Sequence, residues 1–288
     1  MTSPAHSSPA RSSPARSSLA RSARAYRALI LSRLRSQRVY TTSFALDVVG
    51  SLLTGAVEFA EVWIVFHNVR SLGGLTFAQI CLLFGIAHTG FSFSQVVFGH
   101  VDRITRYLRA GTLEAFYLRP LSLLGQLVTS EVALRRLGWG ALSVVVLGWA
   151  LVAVDLAWTP AKVVLLVSSI VSAAALFGAL FVAAAGLQFF LVDGEEMTNA
   201  FTYGGRHASQ QPASIFGPGL VTAFVFAVPV AFTGYVPTLG LLDLPAPTAL
   251  PWLGAEAAWL CPLVAAWTWV VALTCWRIGT RHYQGGGG

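Results

Sequence analysis

Six long apolar stretches, separated by segments whose basic residues fall almost all on one side, restrict the fold of this chain more than any other feature. Each stretch approaches or exceeds the ~20 residues that an α-helix needs to cross the hydrocarbon core of a bilayer. The predicted spans are Ser43–His67, Phe77–Gly99, Trp139–Trp158, Val163–Val192, Gly217–Tyr235 and Ala255–Trp276. The sequence therefore predicts an all-α integral membrane protein with six transmembrane helices.

The basic residues orient these spans. Six spans place both termini on one face of the membrane, and 17 of the 19 basic residues lie on that face. Only Arg70 and Lys162 lie on the other face. Because basic loops remain in the cytoplasm, both termini are predicted to be cytoplasmic. Topology and anionic headgroups account for the net positive charge, so nucleic-acid binding is not expected.

The composition favours a single membrane domain, because 55% apolar and 11% charged residues leave no room for a soluble domain of ordinary size. Residues 1–22 repeat the pattern Ser-Ser-Pro-Ala-Arg and are predicted to be a disordered Ser/Pro/Ala/Arg tail, although an organelle transit peptide also fits such a start. Residues 23–40 combine helical apolar spacing with arginines, which predicts a basic interfacial helix. The membrane domain is assigned to residues 41–284, and residues 285–288 are a glycine tail.

The segment His100–Gly138, between the second and third spans, is too long for a simple connection and too polar for a span. Val101, Ile104 and Leu108 mark one apolar helical face, and Gly111 is a natural helix end. A second short helix is expected to follow and to end at Pro120. The pattern predicts a helix, a break and a helix on the cytoplasmic side.

The loop sequence Gly-Thr-Leu-Glu-Ala-Phe-Tyr-Leu-Arg-Pro-Leu, at Gly111–Leu121, resembles a signature of six-span permeases among the bacterial type-2 ATP-binding-cassette exporters. That family has an arginine tail and a Gly-x-Leu-acid-x-x-Leu/Tyr-Leu-Arg-Pro-Leu loop. Gln188-Phe-Phe-Leu and the segment Val228–Pro237 are similar to two further parts of the family pattern, so the resemblance runs from about Leu29 to the C-terminus. The usual Tyr-Pro before the fifth span is Gln211-Pro212 here.

The resemblance implies a permease half in a bacterial cell membrane that pairs with a second permease, identical or related, and docks two ATPase subunits. ATP and Mg would be bound by those partners, and no cofactor or metal is expected in this chain. The cargo would be an amphiphilic or drug-like compound or a lipid. Independently of the resemblance, the only lysine, Lys162, follows Ala161, so the chain contains no Gly-Lys-Ser/Thr phosphate loop. We therefore expect a non-catalytic subunit.

The short helix in the loop is the predicted coupling helix. The residues assigned to ATPase coupling are Leu113, Glu114, Phe116, Tyr117, Arg119 and Pro120. In this hypothesis Phe116 and Tyr117 anchor in a cleft on the ATPase, and Glu114 or Arg119 fixes the register, because aromatic and arginine anchors dominate such contacts. The alternative is an interfacial helix that buries these aromatics among lipid headgroups.

The first predicted span contains three acids, Asp47, Glu58 and Glu61, and acids inside a bilayer are costly. At 3.6 residues per turn they share one narrow face. That face could line a translocation cavity, or it could serve interfacial solvation and helix packing. A proton-coupled secondary transporter that uses these acids is the alternative function, although the sequence has no detectable inverted repeat. An intramembrane enzyme would need polar residues that converge within the spans.

Two further features concern packing. Small residues repeat along the fourth span at Ala175, Gly178, Ala179 and Ala183, which predicts a helix-packing face. Pro229 interrupts the fifth span, and several prolines follow it in the external loop. The expected structure there is a kinked span followed by a partly re-entrant segment.

Overall fold

The computed structural model describes residues 41–130, 137–191, 194–245 and 253–283. These ranges are helical, apart from turns, connections and an isolated bridge between Leu72 and Leu75. The all-α prediction is therefore confirmed. The predicted tail 1–22, the interfacial helix 23–40 and the glycine tail 285–288 lie outside the described residues.

The described helices include long apolar helices and short connecting ones. They are α1 Thr41–Asn68, α2 Phe77–Phe98, α3 Ile104–Arg109, α4 Glu114–Tyr117, α5 Leu123–Ser130, α6 Leu137–Ala153, α7 Pro160–Leu187, α8 Gly194–Ser209, α9 Pro218–Phe226, α10 Tyr235–Leu241 and α11 Cys261–His282. Short 3-10 turns occupy Val101–Arg103, Ala213–Ile215, Val230–Thr233 and Ala255–Leu260. Four segments of the described residues are long and apolar enough to cross a membrane. They are α1 from Ala45, α2, α7, and Ala255–His282, which combines the last 3-10 turn with α11. Helix α6 is apolar but shorter.

Helices α2 and α7 form the centre of the bundle. Helix α7 packs along α11 and α2, while α2 also packs on α6. Small residues allow the α7–α11 contact, since a Cβ on Gly186 would lie 2.7 Å from the backbone of Cys275 and Trp276. The predicted packing residues lie in this region: Gly178 faces Phe98 and Trp269, and Ala179 and Ala183 pack in the cluster that contains Ala272. Helix α1 packs mainly on α6, and most of its apolar surface is exposed.

The predicted fifth span, Gly217–Tyr235, is not one continuous helix. It divides into α9, the 3-10 turn and the start of α10, because Pro229 and Gly234 interrupt the helical hydrogen bonds. The segment enters the bundle near Gly73, where the Ser214 hydroxyl donates to the Gly73 carbonyl at 2.8 Å. Val230 reaches the cluster around Phe91. The chain then returns to the same end of the bundle, where Nζ of Lys162 donates to Asp243 at 2.7 Å. The predicted fifth span therefore turns back on itself, whereas the sequence predicted a kinked span with a re-entrant segment after it.

Helix α8, which the sequence did not predict as a span, packs beside α7 and α2 in the bundle. Tyr203 contacts Gln95 of α2, and Gln210, just beyond α8, contacts His88. Residue numbers therefore rise along α8 as they fall along α2, so the two helices are antiparallel. Helix α8 carries two acids and an arginine, which is why hydropathy does not identify it.

Candidate functional site

Helix α8 buries its polar face and exposes apolar side chains. Its buried residues are Gly194, Thr198, Thr202, Gly205, Arg206 and Ser209, at helical spacing. On the opposite face Met197 and Phe201 are about half exposed. The hydroxyl of Thr198 donates to the Gly194 carbonyl at 2.8 Å, so part of the buried polarity is satisfied within the helix. This inverted pattern leaves Arg206 inside the bundle.

Arg206 forms a buried, two-point ion pair with Glu58 of α1. Nη1 of Arg206 donates to Oε2 of Glu58, and Nη2 donates to Oε1, each at 2.8 Å. The two side chains are only 5% and 10% exposed. The planar guanidinium matches the carboxylate at two points, which is the strongest arrangement of such a pair. The contact joins α1 to α8 within the bundle.

Aromatic rings cover the guanidinium of Arg206. Its Cζ lies 5.2 Å from the centre of the Phe91 ring and 5.3 Å from that of Trp139. Both distances permit cation–π attraction, which is stronger where water is excluded. Nη2 also lies 3.1 Å from Nε2 of His207. The arginine thus contacts residues of α1, α2 and α6, three elements that are distant in sequence.

His88 and Gln210 extend this cluster. Nε2 of Gln210 lies 2.8 Å from Nδ1 of His88, and the same ring nitrogen lies 3.7 Å from Oε2 of Glu58. The His88 ring stacks on Phe84 at 5.0 Å. We call Glu58, His88, Arg206 and Gln210 the polar cluster. It is a connected buried polar group among apolar helices, and such groups are costly unless their members satisfy one another.

The three acids of the first span do not share one environment. Glu58 is buried in the polar cluster, while Asp47 and Glu61 are exposed. Asp47 lines a groove of about 470 Å³ between α1, α2 and α8. Its other lining residues are Leu46, Gly50, Ser51, Thr54, Gln95, Arg103, Trp139 and Tyr203. The groove is thus lined by hydroxyl, amide and aromatic groups together with one acid and one arginine.

The predicted coupling residues divide into a buried base and an exposed tip. Leu113 is fully buried, and Phe116 packs edge-on against Tyr107 with ring centres 5.5 Å apart. Glu114, Arg119 and Pro120 are exposed. Tyr117 is half exposed, and the neighbouring Leu118 is 87% exposed. Phe116 therefore faces its own chain, and Leu118 is the apolar side chain that this loop presents most fully.

Two contacts hold the loop in this shape. Nε2 of Gln126 donates to the carbonyls of Phe116 and Leu121, both at 2.9 Å. Tyr117 stacks on Tyr283, just beyond α11, with ring centres 6.3 Å apart and planes 7° from parallel. Partial burial, and then the neighbouring Tyr283, raise the pKa of Tyr117 above its ordinary value. Gly111, with φ of +63°, ends α3 in the left-handed conformation that suits glycine.

Sequence reasoning missed most of the polar cluster. Arg206 was assigned to the cytoplasmic side with the other arginines, whereas the structure buries it among helices. The sequence does not single out His88 or Gln210. One available signal was the spacing of Thr198, Thr202, Arg206 and Ser209, which places polar groups on one helical face. Nothing in that spacing says whether the face points to water or inward.

Comparison with known proteins gives one match. The family model described as ABC-2 family transporter protein matches residues 52–287. The match includes most of α1 and all later helices, and with them the polar cluster and the loop helices. The searches of curated proteins and of solved structures found no match.

Proposed function

Because this chain belongs to the ABC-2 family of transporter proteins, we propose that it forms half of the translocation pathway of an ATP-driven exporter. The family places it in a membrane as a transport subunit that associates with an ATP-binding subunit. In our proposal the full complex contains a second permease, identical or related, and two ATPase subunits. ATP and Mg bind on the ATPase subunits.

The observation that carries the coupling proposal is the exposed tip of the loop on a rigid base. Leu118 and Tyr117 project from α4, while Leu113 and Phe116 fix that helix to the bundle. Exposed apolar and aromatic groups on a fixed support are suited to protein contact. The ATPase would therefore contact Tyr117, Leu118, Arg119 and Pro120, and Phe116 would support the contact from below.

The surface around the groove supports pairing with a second permease. Helix α1 exposes large apolar residues such as Leu46, Leu53 and Val57, and α8 exposes Met197 and Phe201 beside it. A second permease that covered these faces would enclose the groove between them. The mixed lining of the groove suits an amphiphilic or drug-like compound or a lipid, with a polar part that bonds to hydroxyl and amide groups.

The alternative, a proton-coupled secondary transporter, receives less support from Glu58. Both oxygens of Glu58 accept hydrogen bonds from Arg206 at 2.8 Å, so a proton relay through Glu58 would have to break this buried ion pair in each cycle. Asp47 and Glu61 are exposed, and Glu58 is the only acid between them along α1. A relay along α1 would therefore have to pass through Glu58.

The test is affinity purification of the subunit from its native membrane in mild detergent, with mass identification of partners and an ATPase assay. We expect stoichiometric recovery of a nucleotide-binding subunit, together with vanadate-sensitive hydrolysis. Replacement of the catalytic acid of that partner should abolish hydrolysis without releasing this chain. A purified subunit without any ATPase would overturn the exporter proposal and favour the secondary transporter.

A further inference from the structure

Gln188 lies where three segments of the chain meet at one end of the bundle. It follows the last residue of α7 and is 1% exposed. Its Oε1 accepts hydrogen bonds from the hydroxyl of Thr105 at 2.8 Å and from the Thr105 backbone N–H at 3.3 Å. Its Nε2 donates to the Asp102 carbonyl at 2.5 Å and to the Thr198 hydroxyl at 2.7 Å. The amide therefore uses both its donor and its acceptor in bonds to other segments.

One arm of Gln188 leads to the loop helices. Asp102 and Thr105 are at the root of the loop, just after α2. From there the loop is continuously packed: Ile104 and Leu113 share one buried cluster, and Tyr107 contacts Phe116. Packed groups resist deformation and move together as a rigid unit. A displacement of the exposed tip by a bound ATPase would therefore also displace Thr105.

The other arm leads to the polar cluster. Thr198 is in the second turn of α8, and Arg206 is eight residues further along the same helix, or about 12 Å. Arg206 holds Glu58 of α1 through two hydrogen bonds. A displacement of the first turns of α8 along its axis would therefore act directly on the pair that joins α8 to α1.

We propose that Gln188 is a positioning residue that transmits movement of the ATPase-bound loop to α8 and so to the Glu58–Arg206 pair. This inference rests on the proposed function, since it assumes that an ATPase moves the loop. Gln188 touches neither nucleotide nor cargo in this proposal. Its role is to make the loop root and α8 move together, and its loss should separate ATP hydrolysis from movement of α8.

The experiment uses the purified complex with its ATPase, reconstituted in lipid nanodiscs. Spin labels are placed at Ala200→Cys on the exposed face of α8 and at Val171→Cys on the exposed face of α7, in a background where Cys81, Cys261 and Cys275 are alanine. The distance between labels is measured without nucleotide and after ATP with vanadate. The ATPase rate is measured on the same samples.

The central variant is Gln188→Leu, which keeps similar size and removes the hydrogen bonds. Thr198→Val cuts only the α8 arm and Thr105→Val cuts only the side-chain bond of the loop arm, so either can be used if Gln188→Leu fails to assemble. Gln79→Leu is the matched control, because Gln79 caps the opposite end of α2 by accepting from the Thr76 N–H at 2.9 Å.

We expect wild type and Gln79→Leu to show a nucleotide-dependent change in label distance. In Gln188→Leu and in Thr198→Val, the fraction of complexes that change label distance with nucleotide should fall at least about fivefold. A factor of about five is the lower end of ordinary coupling between sites. The ATPase rate should persist. Adding Thr198→Val to Gln188→Leu should cause no further loss, because both cut the same path.

Three results would overturn the inference. Gln188→Leu could retain the full distance change, the wild-type complex could hydrolyse ATP with no movement of α8, or hydrolysis could fall in parallel with movement, which would place Gln188 in docking. Failure of the proposed function looks different, since no ATPase would then copurify with the wild-type chain and the inference would fall with it.

Discussion

Arg206 and Glu58 are 148 residues apart in sequence and share two hydrogen bonds of 2.8 Å in the interior of the bundle. The pair joins α8 to α1, a helix whose other main contact is α6. This two-point contact thus joins two of the helices that border the groove.

Removing one member of this pair should destabilise the protein strongly. Arg206→Met leaves the Glu58 carboxylate buried without its two hydrogen-bond donors and with only the His88 ring 3.7 Å away, and loss of one partner of a buried ion pair costs about 3–5 kcal/mol. The double variant Glu58→Leu with Arg206→Met should recover much of that loss, because no charge remains buried. Thermal unfolding in detergent measures both.

Glu61→Gln is the control for these variants, since Glu61 is on the same helix and exposed. Its melting temperature should match that of wild type. Equal melting temperatures for Arg206→Met and wild type would contradict a structural role for the pair.

Arg206→Lys should not restore the wild-type properties. Lysine keeps the charge but lacks the planar fork that meets both oxygens of Glu58 and the flat surface between Phe91 and Trp139. The expected order of melting temperature is wild type, then Arg206→Lys, then Arg206→Met, and a lysine variant as stable as wild type would refute the argument from shape.

The loop predicts different effects at two apolar positions that are separated by one residue. Leu118→Asp places a charge on the exposed tip and should abolish ATPase copurification while the melting temperature of the isolated subunit is unchanged. Phe116→Ala should lower the melting temperature by opening a cavity beside Tyr107, at a cost of about 3–5 kcal/mol if Phe116 were fully buried and less here because it is half-buried.

Pull-down with the ATPase and thermal unfolding of each variant together separate these effects. If Leu118→Asp retained the ATPase, the exposed tip would not be the docking contact. Insertion of Tyr117 and Leu118 among lipid headgroups would then account for their exposure.

Close contact between α7 and α11 requires glycine on both helices. A Cβ on Gly279 would lie 2.3 Å from the Gly186 carbonyl oxygen, so Gly279→Ala must push the helices apart. Such overpacking costs about 1–3 kcal/mol. Gly148→Ala is the matched control, because no atom lies within 4 Å of that Cβ and alanine favours a helix. Size-exclusion profiles after stepwise heating compare the two, and equal thermal stability would contradict the required contact.

The sequence predicted the elements whose signal is local. The helices α1, α2, α6, α7 and α11 correspond to predicted spans, because each is a long run of apolar residues. Gly111 predicted the break in the loop, since a left-handed residue is needed where α3 ends. Pro229 predicted a kink in the fifth span, but the structure breaks that span into short helices, so the location of the re-entrant segment was not predicted.

The sequence alone determined that this is a helical membrane subunit, and its resemblance to type-2 permeases agrees with the family that the comparison identified. Only the tertiary structure decided which helix threads the bundle beside α2, which of three acids is buried, and which side of α4 is exposed. The physical reason is that hydropathy reports transfer from water to lipid for each side chain by itself. Arg206 and Glu58 are each unfavourable on that scale, and the bundle accommodates them because each supplies the partner that the other lacks.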